Sequence, residues 1–188
     1  ASEFISGTVG RLSGDRSGKI RFDPTNPSED DIDIRDIAHA LSMMTRANGH
    51  FTEFYSVARH SVNCALEATA RGYSKRVALF CLLHDSAESY IGDMTRPLKM
   101  HFPLFSEYEK KLQKVIFSKY ATLDIDDVEK EKVKSVDDSL LYHEFLCYHG
   151  DKLFDFTPEI HIDVKDNSKN ISETEKEFLC MYEALKIK

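Results

Sequence analysis

The sequence predicts an all-α domain with a short β-hairpin at its start. Three observations carry this. Apolar residues recur at helical spacing through most of the chain after Asp33. The segment 77–83 is apolar nearly all round. Capping and stop residues fall at the ends of these runs. At 188 residues the chain fits one domain better than two and can bury a full core without disulfides. Three stretches are expected within it: a hairpin and loop over 1–32, a helical core over 33–148, and an irregular segment with a last helix over 149–188.

Segments 4–9 and 19–22 flank the turn formers Ser13-Gly14-Asp15-Arg16-Ser17-Gly18, the pattern of a hairpin. Pro24 and Pro27 make the next stretch a loop. Asp33 can cap a first helix carrying Ile34, Ile37, Ala38, Leu41 and Met44, expected to end near Asn48-Gly49. A second helix is expected over 56–70, with Gly72 as its stop, and a third over 74–90. Gly92 and Pro97 bracket a loop. A fourth helix follows over 105–120 and a fifth over 126–148. After Gly150 comes an irregular stretch with Pro158, and Ser172 and Glu175 form a capping box for a last helix to about 187.

A net charge of −7 argues against a binder of long nucleic acids but leaves room for a small anionic substrate beside a metal and a few local cations. No apolar run is long enough to cross a bilayer and no signal-peptide pattern is present. Cys64, Cys81, Cys147 and Cys180 form no C-x-x-C pair. They are expected as small core side chains in a reducing cytoplasm.

The chemistry centres on His84-Asp85, set in a very apolar helix. A His-Asp dipeptide alone is common, and reads equally as a core histidine beside a surface aspartate. On a continuous helix, however, Glu88 would share a face with both, and Asp93 follows after Gly92. His60 lies on the preceding helix, and Asp137 lies in the apolar stretch 133–141 of the fifth. Imidazole and carboxylate groups from several helices suit zinc, manganese, iron or cobalt.

The series His60, His84-Asp85, Asp137 resembles the H…HD…D signature of the HD superfamily. The segment His84-Asp85-Ser86-Ala87-Glu88-Ser89-Tyr90-Ile91-Gly92-Asp93, followed by Pro97 and Lys99, resembles the pattern of bacterial 5′-deoxynucleotidases and related nucleotide phosphohydrolases. The resemblance covers residues 33–148 and implies an HD-domain helical bundle. It implies His60, His84, Asp85 and Asp137 as ligands of one divalent metal ion (Mn, Co, Fe, Zn or Mg). Glu88 and Asp93 would be the two catalytic acids that are not ligands. Arg46, fourteen positions before His60 (60 − 46), would bind phosphate, with Arg96 and Lys99 as further candidates. The implied partner is a small nucleotide rather than long nucleic acid or membrane, in a cytoplasmic homodimer.

One departure concerns the sugar. Where the deoxynucleotidases carry a tryptophan after the arginine, this chain has Ala47 and no tryptophan at all. His50, Phe51 and Tyr55 are the candidates to fill that space. Glu67, His143 and Glu144 match nothing in the pattern and are expected on helix surfaces in structural roles, as are His39, His101, His149 and His161. The implied activity is hydrolysis of a (deoxy)nucleoside 5′-monophosphate, with triphosphate removal from a (deoxy)nucleoside triphosphate as the alternative. Alarmone or cyclic-nucleotide hydrolysis is disfavoured by Ser89, which stands where alarmone hydrolases place a further acid. A non-catalytic nucleotide-binding module is disfavoured by the complete ligand set.

Overall fold

A computed structural model describes residues 23–121, 125–165 and 169–187, without the side chains of Arg96 and Pro97. The expected hairpin over 4–9 and 19–22 lies outside the described residues. Eight α-helices appear among those described: α1 (Ile34–Met43), α2 (Val57–Ala70), α3 (Lys75–Leu83), α4 (Glu88–Ile91), α5 (Arg96–Lys99), α6 (Pro103–Ala121), α7 (Asp127–Tyr148) and α8 (Ile171–Leu185). The only β pairing among the described residues is an isolated antiparallel bridge between Thr45 and Ser56.

The α2–α3 hairpin is the centre of the bundle. Residues 77–83 are all buried, as the all-round apolar pattern requires, and α2 is buried from Val57 through Ala65. Helices α1, α7 and α8 pack on α2, while α6, α7 and α8 pack on α3. Leu79, Phe80, Leu82 and Leu83 are fully enclosed. Each such side chain contributes roughly 1.5–3 kcal/mol by leaving water. Side-chain caps fix the starts: Asp33, Ser56 and Ser74 accept from the backbone N–H groups of Arg35, Arg59 and Val77. Asp126 and Glu129 form a reciprocal capping box for α7.

Four expectations change. The first helix ends at Met43 rather than near Asn48-Gly49. The chain turns there to pair with its own continuation, Arg46 N donating to Tyr55 O (2.8 Å) and Val57 N to Met44 O (3.0 Å). Ala47 and Asn48 take left-handed φ angles of 51° and 50°, which costs about 1–2 kcal/mol at an alanine and would interrupt any helix. The loop between Gly92 and the fourth helix contains the short helix α5. At the C-terminus, Asn170 and Glu173 form the working capping box, two residues before Ser172 and Glu175.

The fourth change bears on the site. The helix expected over 74–90 breaks after Leu83, so His84 and Asp85 lie at a junction between α3 and α4 and not inside a continuous helix. In an unbroken helix, Ala87 N–H would bond Leu83 C=O. Instead the side-chain amide of Gln113, on α6, takes both partners: Nε2 donates to Leu83 O at 2.7 Å and Oε1 accepts from Ala87 N at 3.0 Å. A side chain inserted into the ladder is a recognised cause of a helix break. The local chain tightens to three-residue bonds, Ser86 N to Leu83 O and Glu88 N to Asp85 O.

Candidate metal centre

Four side-chain atoms from α2, the α3–α4 junction and α7 converge. His60 Nε2 lies 3.3 Å from His84 Nε2, 3.7 Å from Asp85 Oδ2 and 3.2 Å from Asp137 Oδ1. His84 Nε2 lies 3.3 Å from Asp85 Oδ2 and 3.8 Å from Asp137 Oδ1. Ligands held about 2.0–2.2 Å from one ion stand about 3.0–3.5 Å apart, so these spacings reach a common coordination sphere after shifts of a few tenths of an ångström.

The hydrogen bonds on the far side of each ring sharpen the point. His84 Nδ1 donates to the Cys81 carbonyl at 2.7 Å, and His60 Nδ1 donates to Glu144 Oε1 at 2.7 Å. Both partners are acceptors only, so both Nδ1 atoms carry a proton, and a neutral ring presents its lone pair at Nε2. The two Nε2 atoms, 3.3 Å apart and facing two carboxylate oxygens, form a donor set that a cation can bridge once the rings are neutral. Opposing burial, charged neighbours hold Asp85, Asp137 and Glu144 below the usual carboxylate range. Burial likewise works against charge on both histidines, yet the surrounding acids raise the pKa of each. The donor set therefore fits a divalent metal ion, by both spacing and charge.

Sulfur enters as well. Cys64 Sγ lies 3.5 Å from His60 Nε2, and His60, Cys64 and His84 can place a nitrogen, a sulfur and a nitrogen within 4.8 Å of one another. Burial pushes the Cys64 thiol up to about 11, which works against the thiolate a metal needs. The two carboxylates are the better-charged partners. The expectation of an inert core cysteine accounts for the burial of Cys64 but not for its place against the ligand cluster.

Arg46 reaches the same point from the turn after α1. Its guanidinium lies 3.1 Å from His60 Nε2, 3.4 Å from Asp85 Oδ2, 3.7 Å from Asp137 Oδ1 and 3.5 Å from Glu144 Oε2. Burial opposes its charge, but Glu144, Asp85 and Asp137 hold it protonated. Glu88 is buried, and its Oε2 finds no hydrogen-bond partner among the described residues. Burial, then the charges of Asp85 and Asp93, push the Glu88 carboxyl up to about 10. Asp93 follows Gly92, whose φ of 84° makes the turn. Lys99 Nζ lies 3.8 Å from Glu88 but is held by Glu109 at 2.5 Å. The side chain of Arg96 lies outside the described residues.

Two clefts open beside this cluster. One of about 220 Å³ is lined by His84, Asp85, Glu88 and Lys99. The other, about 630 Å³ between α6 and α7, has His84 and Asp137 on its wall with Phe117, Ile125 and Val133, and Lys110, Lys114, Lys130 and Lys134 around it. A groove of about 750 Å³ lies elsewhere, against Arg71, Ser135 and His161, and contains none of the converging groups.

Glu144 corrects the sequence reading: its side chain is fully buried rather than on a helix surface. The signal was its position seven residues after Asp137, on the same face of α7. Glu67 is also buried, but it joins Arg71 and His161 away from the cluster. Of the residues considered for the place of the missing tryptophan, Phe51 and Tyr55 are packed internally. Both are committed to a buried aromatic group with Tyr148, at centroid distances of 5.7 and 5.0 Å, and His50 is exposed.

No protein-family profile matches the chain. It is 40% identical over 105 residues to the uncharacterized protein YfdR of Escherichia coli, covering 55% of each chain. It is 44% identical over 84 residues to an uncharacterized protein of Rhodobacter capsulatus, covering 42% of each. It is 28% identical over 124 residues to a 5′-deoxynucleotidase of Yersinia pestis, covering 65% of this chain and 46% of that protein. The matches thus span about half the length of these relatives. Among the described residues no helix is long and apolar enough to cross a membrane.

Proposed function

We propose that the chain is an HD-type metal-dependent phosphohydrolase that removes phosphate from a small nucleotide, a (deoxy)nucleoside 5′-monophosphate. The observation that carries this reading is the convergence of His60 Nε2, His84 Nε2, Asp85 Oδ2 and Asp137 Oδ1. Similarity to proteins named 5′-deoxynucleotidase supports the substrate class.

These four residues hold one divalent ion. When bound, such an ion lowers the pKa of water from about 15.7 to about 7 and offsets charge on the phosphate. Arg46 binds the phosphate oxygens, for which its planar fork is suited, and it already lies beside His60, Asp85 and Asp137. Glu88, buried with an unpartnered oxygen on the smaller cleft, holds the proton that the leaving oxygen requires. Proton transfer of this kind contributes about 10²–10⁴-fold. Asp93, close to Glu88, orients the attacking water or a sugar hydroxyl. Lys99, anchored by Glu109, adds positive charge beside the reacting group. The wider cleft takes the nucleoside against Phe117, Ile125 and Val133, within the roughly 300–1,000 Å³ usual for small-ligand sites.

Lys110, Lys114, Lys130 and Lys134 around that cleft favour a second reading, removal of triphosphate from a (deoxy)nucleoside triphosphate. A panel of nucleoside mono- and triphosphates with manganese, cobalt, zinc and magnesium tests both. Release of single phosphate supports the first reading and release of triphosphate the second. Hydrolysis of neither class with any of the four ions overturns both.

A further inference from the structure

Glu144 has no assigned part in the chemistry, yet it is the most completely enclosed acid beside the metal centre. It stands two helical turns after Asp137 on α7, and its side chain has no solvent exposure. Oε1 accepts from His60 Nδ1 at 2.7 Å and from the Tyr55 hydroxyl at 2.9 Å. The Tyr55 oxygen in turn accepts from Asn63 Nδ2 at 2.8 Å, so the tyrosine proton is committed to the carboxylate. Oε2 faces Arg46 Nε at 3.5 Å. One carboxylate therefore touches a proposed metal ligand and the proposed phosphate-binding arginine.

We propose that Glu144 is a positioning residue: it fixes which nitrogen of His60 faces the metal and aims Arg46 at the same point. This rests on the metal reading given above. A buried carboxylate is costly, and replacing a buried ionic group by an apolar one is often neutral or stabilising. Glu144 also does not reach the converging atoms as a fifth ligand, because both oxygens are turned to other partners. Its geometry is that of the outer carboxylate in a carboxylate–histidine–metal arrangement. There the acceptor on Nδ1 holds the ring orientation, keeps the proton off Nε2 and raises the basicity of that nitrogen. His84 obtains the same service from a backbone carbonyl, which no substitution at a side chain can remove. His60 obtains it from a side chain that can be changed.

The test is zinc affinity, measured by competition with a chelator on the full chain, in wild type and Glu144→Gln. The amide keeps the size of the carboxylate but loses its charge, and it offers Arg46 an N–H group in place of an acceptor. With helical circular dichroism unchanged, Glu144→Gln should bind zinc about 10- to 100-fold more weakly. The zinc-loaded variant should also bind inorganic phosphate more weakly than zinc-loaded wild type. Saturating zinc should restore the first loss and not the second, a separation that a merely structural role does not produce. If wild type binds zinc and Glu144→Gln binds it equally well, the positioning role is overturned and the metal reading stands. If wild type binds no zinc, both fall. Should the variant fail to fold, nitrogen NMR of the His60 ring in zinc-loaded wild type decides. A protonated Nδ1 with Nε2 on the metal is expected, and the reverse arrangement overturns the proposal.

Discussion

Helices α2 and α7 contribute to two polar clusters of the same residue types, and only one of them is the candidate metal centre. Away from the metal centre, buried Glu67 accepts from Arg71 Nε at 2.7 Å, from His161 N at 2.8 Å and from His161 Nδ1 at 2.9 Å. Arg71 also donates to Ser135, Ser139 and the Glu159 carbonyl. Every donor there meets an acceptor at ordinary distance, and the network closes on itself. At the other cluster, Glu144, His60 and Arg46 repeat the glutamate, histidine and arginine. Here two imidazole nitrogens and two further carboxylates face one another at 3.2–3.8 Å, with a guanidinium beside them. The larger groove lies beside the closed network. Converging imidazoles and carboxylates, rather than volume, mark the candidate site.

His84→Ala should remove the bound metal and with it turnover, by more than about 10⁴-fold given what the ion does to water; metal analysis and rate measurement on one preparation check this. Glu88→Gln should keep the metal and lose about 10²–10⁴ in kcat, and a variant with unchanged kcat removes Glu88 from the mechanism. Arg46→Lys keeps the charge but not the fork, and should raise KM about tenfold. Metal affinity should depend on pH in a set direction. The folded-state pKa values of His60 and His84 are raised, so protons must leave both before an ion binds. Affinity should rise by up to about tenfold per pH unit for each proton released and level off once both rings are neutral; titrations at several pH values read this slope. Smallest in function is Arg71→Ala, expected to cost about 1–3 kcal/mol in stability with zinc affinity and kcat unchanged. A fall in zinc affinity there would show that the two clusters are not independent.

The parts of this arrangement legible in the sequence were those governed by local pattern. Asp33 caps α1 as its position suggests, and the apolar run of α3 marks the centre. His60, His84, Asp85 and Asp137 stood among apolar neighbours, and the resemblance to the H…HD…D signature singled them out as a set. What escaped was decided at a distance. The break after Leu83 comes from Gln113, thirty residues on (113 − 83), and no periodicity in 74–90 encodes it. The early end of α1 follows from pairing of Arg46 with Tyr55 across a turn. At the last helix, two overlapping boxes compete, Asn170 with Glu173 and Ser172 with Glu175, and a sequence pattern alone does not rank them. Glu144 was misplaced because α7 opens on a dense run of charges, which hides the single face that turns inward.

The proposed centre holds one ion between two imidazoles and two carboxylates at the junction of α2, α3 and α7. X-ray absorption at the zinc edge of the zinc-loaded chain reads those neighbours. One zinc per chain is expected, with only nitrogen and oxygen neighbours at about 2.0–2.2 Å. A sulfur neighbour at about 2.3 Å would place the ion on Cys64 instead and contradict the carboxylate centre, as would a chain that retains no zinc.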